Sequence, residues 1–260
     1  TLMSNFPTPY VSHDLTGQVA LVTGTTSGLG RRFAIVLAAC GAKVAITGRR
    51  VEKLEELAKE IRASGGVCEP IPFDITNTEE ITQVVDQAES ALGLVDILIN
   101  NAGIPDAQRA HKMSNEFIDS VFDTNLVGPF KLSCEIARRL IAAKQPGRMI
   151  NISSVGGFSY GGNGAALYSI TKSAIVRMTE VLAVEWARNN INVNAIAPGA
   201  FSSEMMDGML ERMGDIAQHF PRKRIGDPAQ MDSTLLYFLS PASEFVTGTY
   251  IKIDDGQGGR

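Results

Sequence analysis

Val19-Ala20-Leu21-Val22-Thr23-Gly24-Thr25-Thr26-Ser27-Gly28-Leu29-Gly30 is the stretch on which the reading of the chain turns. A short apolar run, rich in valine, passes without a linker into a glycine-rich turn, and from Gly28 apolar residues recur at helical spacing to Cys40. Glycine allows the tight turn and lets backbone amides approach a ligand. The start of the helix adds free N–H groups and the positive end of a dipole. Strand, glycine turn and helix in that order make a seat for a pyrophosphate. A P-loop is excluded, because no Gly-Lys-Ser or Gly-Lys-Thr closes the motif.

The same alternation runs outward from this turn. Short Val- and Ile-rich runs bounded by Gly, Pro, Asn or Asp are expected as strands at 19–23, 43–47, 67–73, 95–100, 148–152, 191–197 and 249–253. Amphipathic spacing predicts helices at 28–40, 51–64, 78–92, 115–144, 166–188 and 228–239, and Gly128-Pro129 is where the fourth would break. Asn77 before Thr78-Glu79-Glu80 reads as a capping box, and Asp227-Pro228-Ala229-Gln230 as a second one with proline at the first helical position. Strands that are apolar along their length are covered on both faces, as in a parallel sheet. The expectation is therefore α/β: one doubly wound domain over 15–260, about seven parallel strands with helices on both faces (a Rossmann fold), after a loosely held arm over 1–14.

Composition narrows the function. Over 260 residues, 24 Lys plus Arg face 28 Asp plus Glu for a net charge of -4, which argues against nucleic acid or an anionic membrane as partner. No apolar run approaches the roughly 20 residues of a membrane span. The first 13 residues lack the basic-then-apolar order of a signal peptide. Cys40, Cys68 and Cys134 are odd in number and far apart, and read as small core residues in a reducing cytoplasm. His13, His111 and His219 are too dispersed to hold a metal. The rhythm breaks at 200–226, where Met205, Met206, Met209 and Met213 crowd together. That segment reads either as a short helix packing with its methionines or as a mobile lid whose thioethers contact a substrate.

The second strand ends in Thr47-Gly48-Arg49-Arg50. An acid there would bind a ribose 2'-hydroxyl; Gly48 with arginines beside it instead suits a 2'-phosphate, so NADP(H) is the expected cofactor. Gly24, Thr26, Ser27, Gly28, Leu29 and Gly30 would form its phosphate seat. Asp74 and Ile75 close the third strand, where a carboxylate meets an adenine amine or simply makes a turn. Tyr168 and Lys172 are four apart, so a helix from about Ala166 puts phenol and ammonium on one face. A nearby cation would lower the phenol's pKa of about 10 and make Tyr168 a usable acid and base. Ser154, at the end of the preceding strand, is set to hydrogen-bond a reacting carbonyl.

Thr23 to Gly30, Asn100-Asn101-Ala102-Gly103, Asn125, Ser154, Tyr168-Ser169-Ile170-Thr171-Lys172 and Pro198-Gly199 stand in the order seen in the short-chain dehydrogenase/reductase family, which the chain resembles from about Leu15 to Gly256. The resemblance implies that Asn101, Ala102 and Gly103 lie against the adenine ribose side, and that Asn125 holds, through backbone and side chain, a water linking Lys172 to solvent. It also implies that Lys172 binds the nicotinamide ribose and that Pro198, Gly199 and Phe201 line the nicotinamide. Ser154 and Tyr168 are one position farther apart than in many relatives, an extra residue that the glycine-rich loop would absorb. Ser203 stands where relatives carry threonine. The implied activity is hydride transfer between nicotinamide and a ketone or secondary alcohol, with no metal. A 3-oxoacyl thioester reductase, its carrier protein docking on Arg138, Arg139, Lys144 and Arg148, is an alternative. A non-catalytic NADP(H) sensor is another, argued against by the presence of all three catalytic groups. The family's last strand and long helices further imply a homotetramer.

Overall fold

In the computed structural model, residues 6–162 and 164–258 are described; Thr1 to Asn5, the first part of the expected arm, lie outside the described residues. The strands are β1 Val19–Thr23, β2 Lys43–Gly48, β3 Val67–Pro72, β4 Ile97–Asn100, β5 Gly147–Ile152, β6 Ile191–Pro198 and β7 Tyr250–Ile253. They form one parallel sheet in the order β3-β2-β1-β4-β5-β6-β7.

Strand alternation assigns residues to two cores. In β1 and β4, Ala20, Val22, Ile97 and Ile99 face one layer, built with helices α1 Gly28–Ala39, α2 Val51–Ala63 and α8 Asp232–Leu239. Val19, Leu21 and Leu98 face the other, built with α3 Ile81–Leu92, α5 Gly128–Ala143 and α6 Ala166–Trp186. Phe33, Leu37, Leu57, Leu132 and Leu140 are almost wholly buried between sheet and helices, each contributing about 2 kcal/mol of burial. Connections leave β1 and β4 toward opposite sides of the sheet, so a crevice opens at their carboxyl ends.

Two local expectations are corrected. Asn77 makes no side-chain cap; Asp74 makes the turn instead, its Oδ1 accepting from the amide and the hydroxyl of Thr76. The capping box at Asp227 and Gln230 is present. The helix over 115–143 does not break at Gly128-Pro129. Between α4 Asn115–Phe122 and α5, residues Asp123–Val127 form a π-turn, in which the Gly128 amide reaches the Asp123 carbonyl. That widened turn absorbs Pro129, which has no N–H to return to the carbonyl of Asn125. Gly128 is required there because a Cβ would lie 2.6 Å from the Ile75 carbonyl.

Candidate active site

The crevice is a cleft of about 1180 Å³, lined from the glycine turn after β1 to the methionine-bearing helix α7 Glu204–Met213. It exceeds the volume usual for one drug-sized ligand and has room for a dinucleotide with a second molecule. Its floor is tied together by Thr23 and Asn101. The Thr23 hydroxyl accepts from the Asn101 and Ala102 amides at 3.0 Å, and Asn101 Nδ2 donates to the carbonyls of Thr23 and Gly24. Gly24 and Gly28 have φ of 68° and 54°. A Cβ on Gly24 would meet Ala102 Cα at 2.9 Å, and one on Gly28 would meet Ser203 Cβ at 3.0 Å. The first turn of α1 holds no acidic residue, so its free amides and positive dipole end face the cleft unopposed. These features fit a pyrophosphate.

Thr26, Ser27, Leu29, Asp74, Ile75, Gly103, Pro198 and Gly199 also line this cleft. Gly30 does not. It sits behind the turn, where a Cβ would collide with Asn101 Nδ2 and the Gly24 carbonyl, so its task is packing. The two arginines after β2 divide. Arg49 is 70% exposed, 3.7 Å from Asp74. Arg50 donates to the Thr26 hydroxyl and pairs with Glu204 at 2.9 Å. Its guanidinium holds the Glu204 carboxyl below the usual carboxylate range. This bridge between the phosphate turn and α7 was missed in the sequence, although Glu204 directly follows Ser203, whose hydroxyl caps α7 by accepting from the Met206 amide.

At the other end, Ser154 and Tyr168 are side-chain neighbours: a Cβ on Gly156 would lie 3.4 Å from Ser154 Oγ and 3.7 Å from Tyr168 Cε1. Ser154 Oγ accepts from the Gly156 amide at 3.1 Å. Ser153 is committed elsewhere, donating to the Lys172 carbonyl. Lys172 is 4% exposed; Nζ donates to the Ile152 carbonyl at 2.8 Å and lies 5.5 Å from the Tyr168 ring centre. The expected lowering of the phenol's pKa is corrected. Burial pushes Tyr168 above its ordinary value; the Ser154 hydroxyl pulls the other way, and the negative charge of Asp106 adds to the rise. Burial also draws Lys172 down to about 8, with no opposing charge among the described residues. In the cleft as it stands, Tyr168 is a protonated phenol.

Asn125 does not line the cleft. Its side chain clamps the loop after β4, exchanging hydrogen bonds with the Ile104 amide and carbonyl and donating to Thr171 Oγ1. The side chain is thus spent, and only the Asn125 carbonyl, without an α-helical partner, is left to hold a water. Asp106 was also missed. It is 1% exposed; Oδ2 accepts from the Tyr168 amide at 3.0 Å, and Oδ1 has no partner among the described residues. It therefore caps α6, whose own N-cap residue Ala165 cannot. Its only sequence signal is a position three residues beyond Gly103.

The break over 200–226 contains the helix α7, and its methionines Met205, Met206, Met209 and Met213 line the cleft with Phe201, Phe220 and Arg212. Of the basic cluster Arg138, Arg139, Lys144 and Arg148, Arg139 and Arg148 are engaged within the chain, whereas Lys144 and most of the Arg138 side chain stay exposed. Arg139 is held by Glu135, Glu89 and Asp86, Arg138 by Glu135, and Arg148 bonds Gln18. Among the described residues no group of His, Cys, Asp and Glu is placed to hold a metal, and no helix is long and apolar enough to cross a membrane.

A family profile described as short chain dehydrogenase matches residues 18–213. Nodulation protein G of Rhizobium sp. (strain N33) is 37% identical over 94% of this chain and 98% of its own length. The 3-oxoacyl-(acyl-carrier-protein) reductase of Thermotoga maritima is 34% identical over 93% and 98%. The structure of a gluconate 5-dehydrogenase from Burkholderia cenocepacia J2315, in complex with NADP and tartrate, superposes with a TM-score of 0.88 at 30% identity over 94% of this chain and 96% of that one.

Proposed function

Because the chain belongs to the short-chain dehydrogenase family, we propose that it is an NADP(H)-dependent oxidoreductase working between a ketone and a secondary alcohol, with Tyr168 as acid and base. The observation that carries the reading is the neighbouring pair Ser154 and Tyr168, set beside the buried Lys172 in a cleft continuous with the phosphate seat. The dinucleotide would be held by the turn from Gly24 to Leu29, by Asn101, Ala102 and Gly103, and by Pro198, Gly199, Phe201 and Ser203. When bound it supplies or accepts the hydride.

The chain's own groups do the rest. Ser154 and Tyr168 hydroxyls polarise the carbonyl oxygen, and the phenol gives up its proton as charge develops there. A phenol raised by burial is a donor at neutral pH, which supports carbonyl reduction as the working direction. Lys172 then stabilises the phenolate from across the ring, and a water on the Asn125 carbonyl would return the proton. The reduced cytoplasm fits three free cysteines. A homotetramer is supported by the exposed Phe130, Ile170 and Val184 on the long helices and by Phe245 before β7; a sedimentation mass of one 27.9 kDa chain would refute it.

Selectivity for NADP(H) rests on Arg49, 70% exposed and 3.7 Å from Asp74, since Arg50 is held closely by both Thr26 and Glu204. Titration with NADPH and NADH, by fluorescence, should show a preference for NADPH that falls about 10- to 100-fold in Arg49→Ala, the scale of a charge-assisted hydrogen bond. Equal binding of both cofactors by the parent protein would remove Arg49 from the site, and binding of neither would overturn the oxidoreductase reading. The thioester-reductase alternative keeps exposed Lys144 and Arg138 for carrier docking and is supported by relatives of that name; turnover of an acyl thioester well above that of an unconjugated ketone would favour it.

A further inference from the structure

Helix α7 presents a single stripe to the cleft. Met205, Met209, Arg212 and Met213 follow one another at spacings of four, three and one, and Gly208 lies on the same face. The Arg212 side chain folds back along the helix, so that a Cβ on Gly208 would lie 3.4 Å from its Nη1. This is the direction in which helical side chains lean, and the missing side chain at Gly208 leaves the guanidinium room beside the thioethers.

What distinguishes Arg212 from Arg49 and Arg50, the other arginines lining the cleft, is that its charge is unmatched. Arg222 and Arg224 pair with Asp255, Arg50 with Glu204, Arg49 with Asp74, and Arg109 donates to the Gly162 carbonyl. Arg212, among the described residues, makes no hydrogen bond or ion pair, although Asp207 and Glu211 share its helix. Of the acids lining the cleft, Asp74 and Glu204 are engaged by arginines, and Asp106 is buried with its Oδ2 on the Tyr168 amide. A guanidinium is a rigid fork suited to a planar or tetrahedral oxyanion.

We propose that the substrate joins an apolar segment, laid against Met205 and Met209, to an anionic group bound by Arg212. The proposal rests on the reductase reading and adds the substrate class: an oxo compound with a carboxylate or phosphate terminus. Polyols and uncharged sterols fall outside it.

The test is steady-state reduction with saturating NADPH of three chain-matched ketones: an uncharged 2-alkanone, the same chain ending in carboxylate, and the same chain ending in phosphate. In the parent enzyme at least one anionic ketone should exceed the uncharged one in kcat/KM by about tenfold or more, expressed in KM, as expected for a charge-assisted contact. Arg212→Gln should bring that ratio close to one, and Arg212→Lys should keep part of it. Equal turnover of all three by the parent enzyme overturns the proposal while leaving the reductase reading intact. So does an Arg212→Gln variant that lowers every substrate by the same factor, which would mark a structural role. Failure to turn over any ketone would overturn both. Whichever terminus is preferred identifies the anion.

Discussion

Replacing Lys172 with methionine should make the protein catalytically inert and yet change its stability in a way set by pH. The ammonium has a pKa of about 8 in the fold against 10.5 outside it, with burial as the cause. Below pH 8 both states are charged, and the fold carries a cost of about 3 kcal/mol, from 1.36 kcal/mol per pKa unit. Between pH 8 and 10.5 the folded state sheds its proton first, so this cost fades and stability rises with pH. From pH 7 to 9.5 the recovery amounts to about 2 kcal/mol. Methionine removes the titration and the hydrogen bond to the Ile152 carbonyl, a loss of about 1–3 kcal/mol that does not vary with pH. The stability of Lys172→Met relative to the parent should therefore decline by about 2 kcal/mol over that window, or about 4–8 °C in Tm for a chain of this length. Urea and thermal unfolding of both proteins, without cofactor, at half-unit pH steps would measure it. Parallel curves from pH 7 to 9.5 would refute the argument, since they would mean that Lys172 keeps an ordinary pKa. The catalytic cation would then impose no cost on the fold.

Asp96, whose pKa burial raises to about 6 while its Oδ1 accepts from the Val19 amide, titrates in the opposite sense. Stability from this group is present below pH 3.8 and lost as pH rises through 6, so Asp96→Asn should gain about 2 kcal/mol relative to the parent between pH 4 and 7; a pH-independent difference in unfolding midpoints would contradict it. Asp106→Asn keeps an acceptor for the Tyr168 amide but removes the charge that helps raise the phenol, which otherwise faces only Ser154 and Lys172. The descending limb of the reductive pH–rate profile should move to lower pH, and an unmoved limb would show that Asp106 serves only as a cap. Gly30→Ala forces a methyl into Asn101 and the Gly24 carbonyl; at about 1–3 kcal/mol of overpacking, NADPH affinity should fall about 5- to 150-fold in calorimetry, and unchanged affinity would sink the view that this contact shapes the phosphate seat.

Much of this architecture is legible in the residue order, because strand and helix periods are local and the glycine turn is contiguous. The strand positions, the parallel arrangement and the shared helix face of Tyr168 and Lys172 follow from local pattern and spacing, while the meeting of Ser154 with that pair is implied by the family resemblance. The rest is decided by contacts between distant segments. Asn77 has the right identity for a cap, but Asp74 already makes the turn with Thr76. Nothing near Asn125 announces that its side chain will be consumed by Ile104. The Tyr168 phenol looked depressed because a lysine stands four residues on; burial, invisible in a string of letters, outweighs a cation that is itself turned toward Ile152. Glu204, Asp106 and Arg212 matter through what they do or do not pair with, which no motif encodes.

The seam between β1 and β4 has a consequence for how the protein comes into being. The contacts that brace the phosphate turn join Thr23 to Ile99, Asn101 and Ala102, residues 76 to 79 positions apart. A nascent chain that has emerged only as far as α3 holds the complete glycine turn but neither Asn101 nor a partner for one side of β1. Until β4 docks, that strand is an unprotected edge in a chain whose long-range pairings are slow to form. NADPH added to refolding protein has no formed seat to hold during that interval, and the newly made chain passes through it exposed to aggregation before it can bind any ligand.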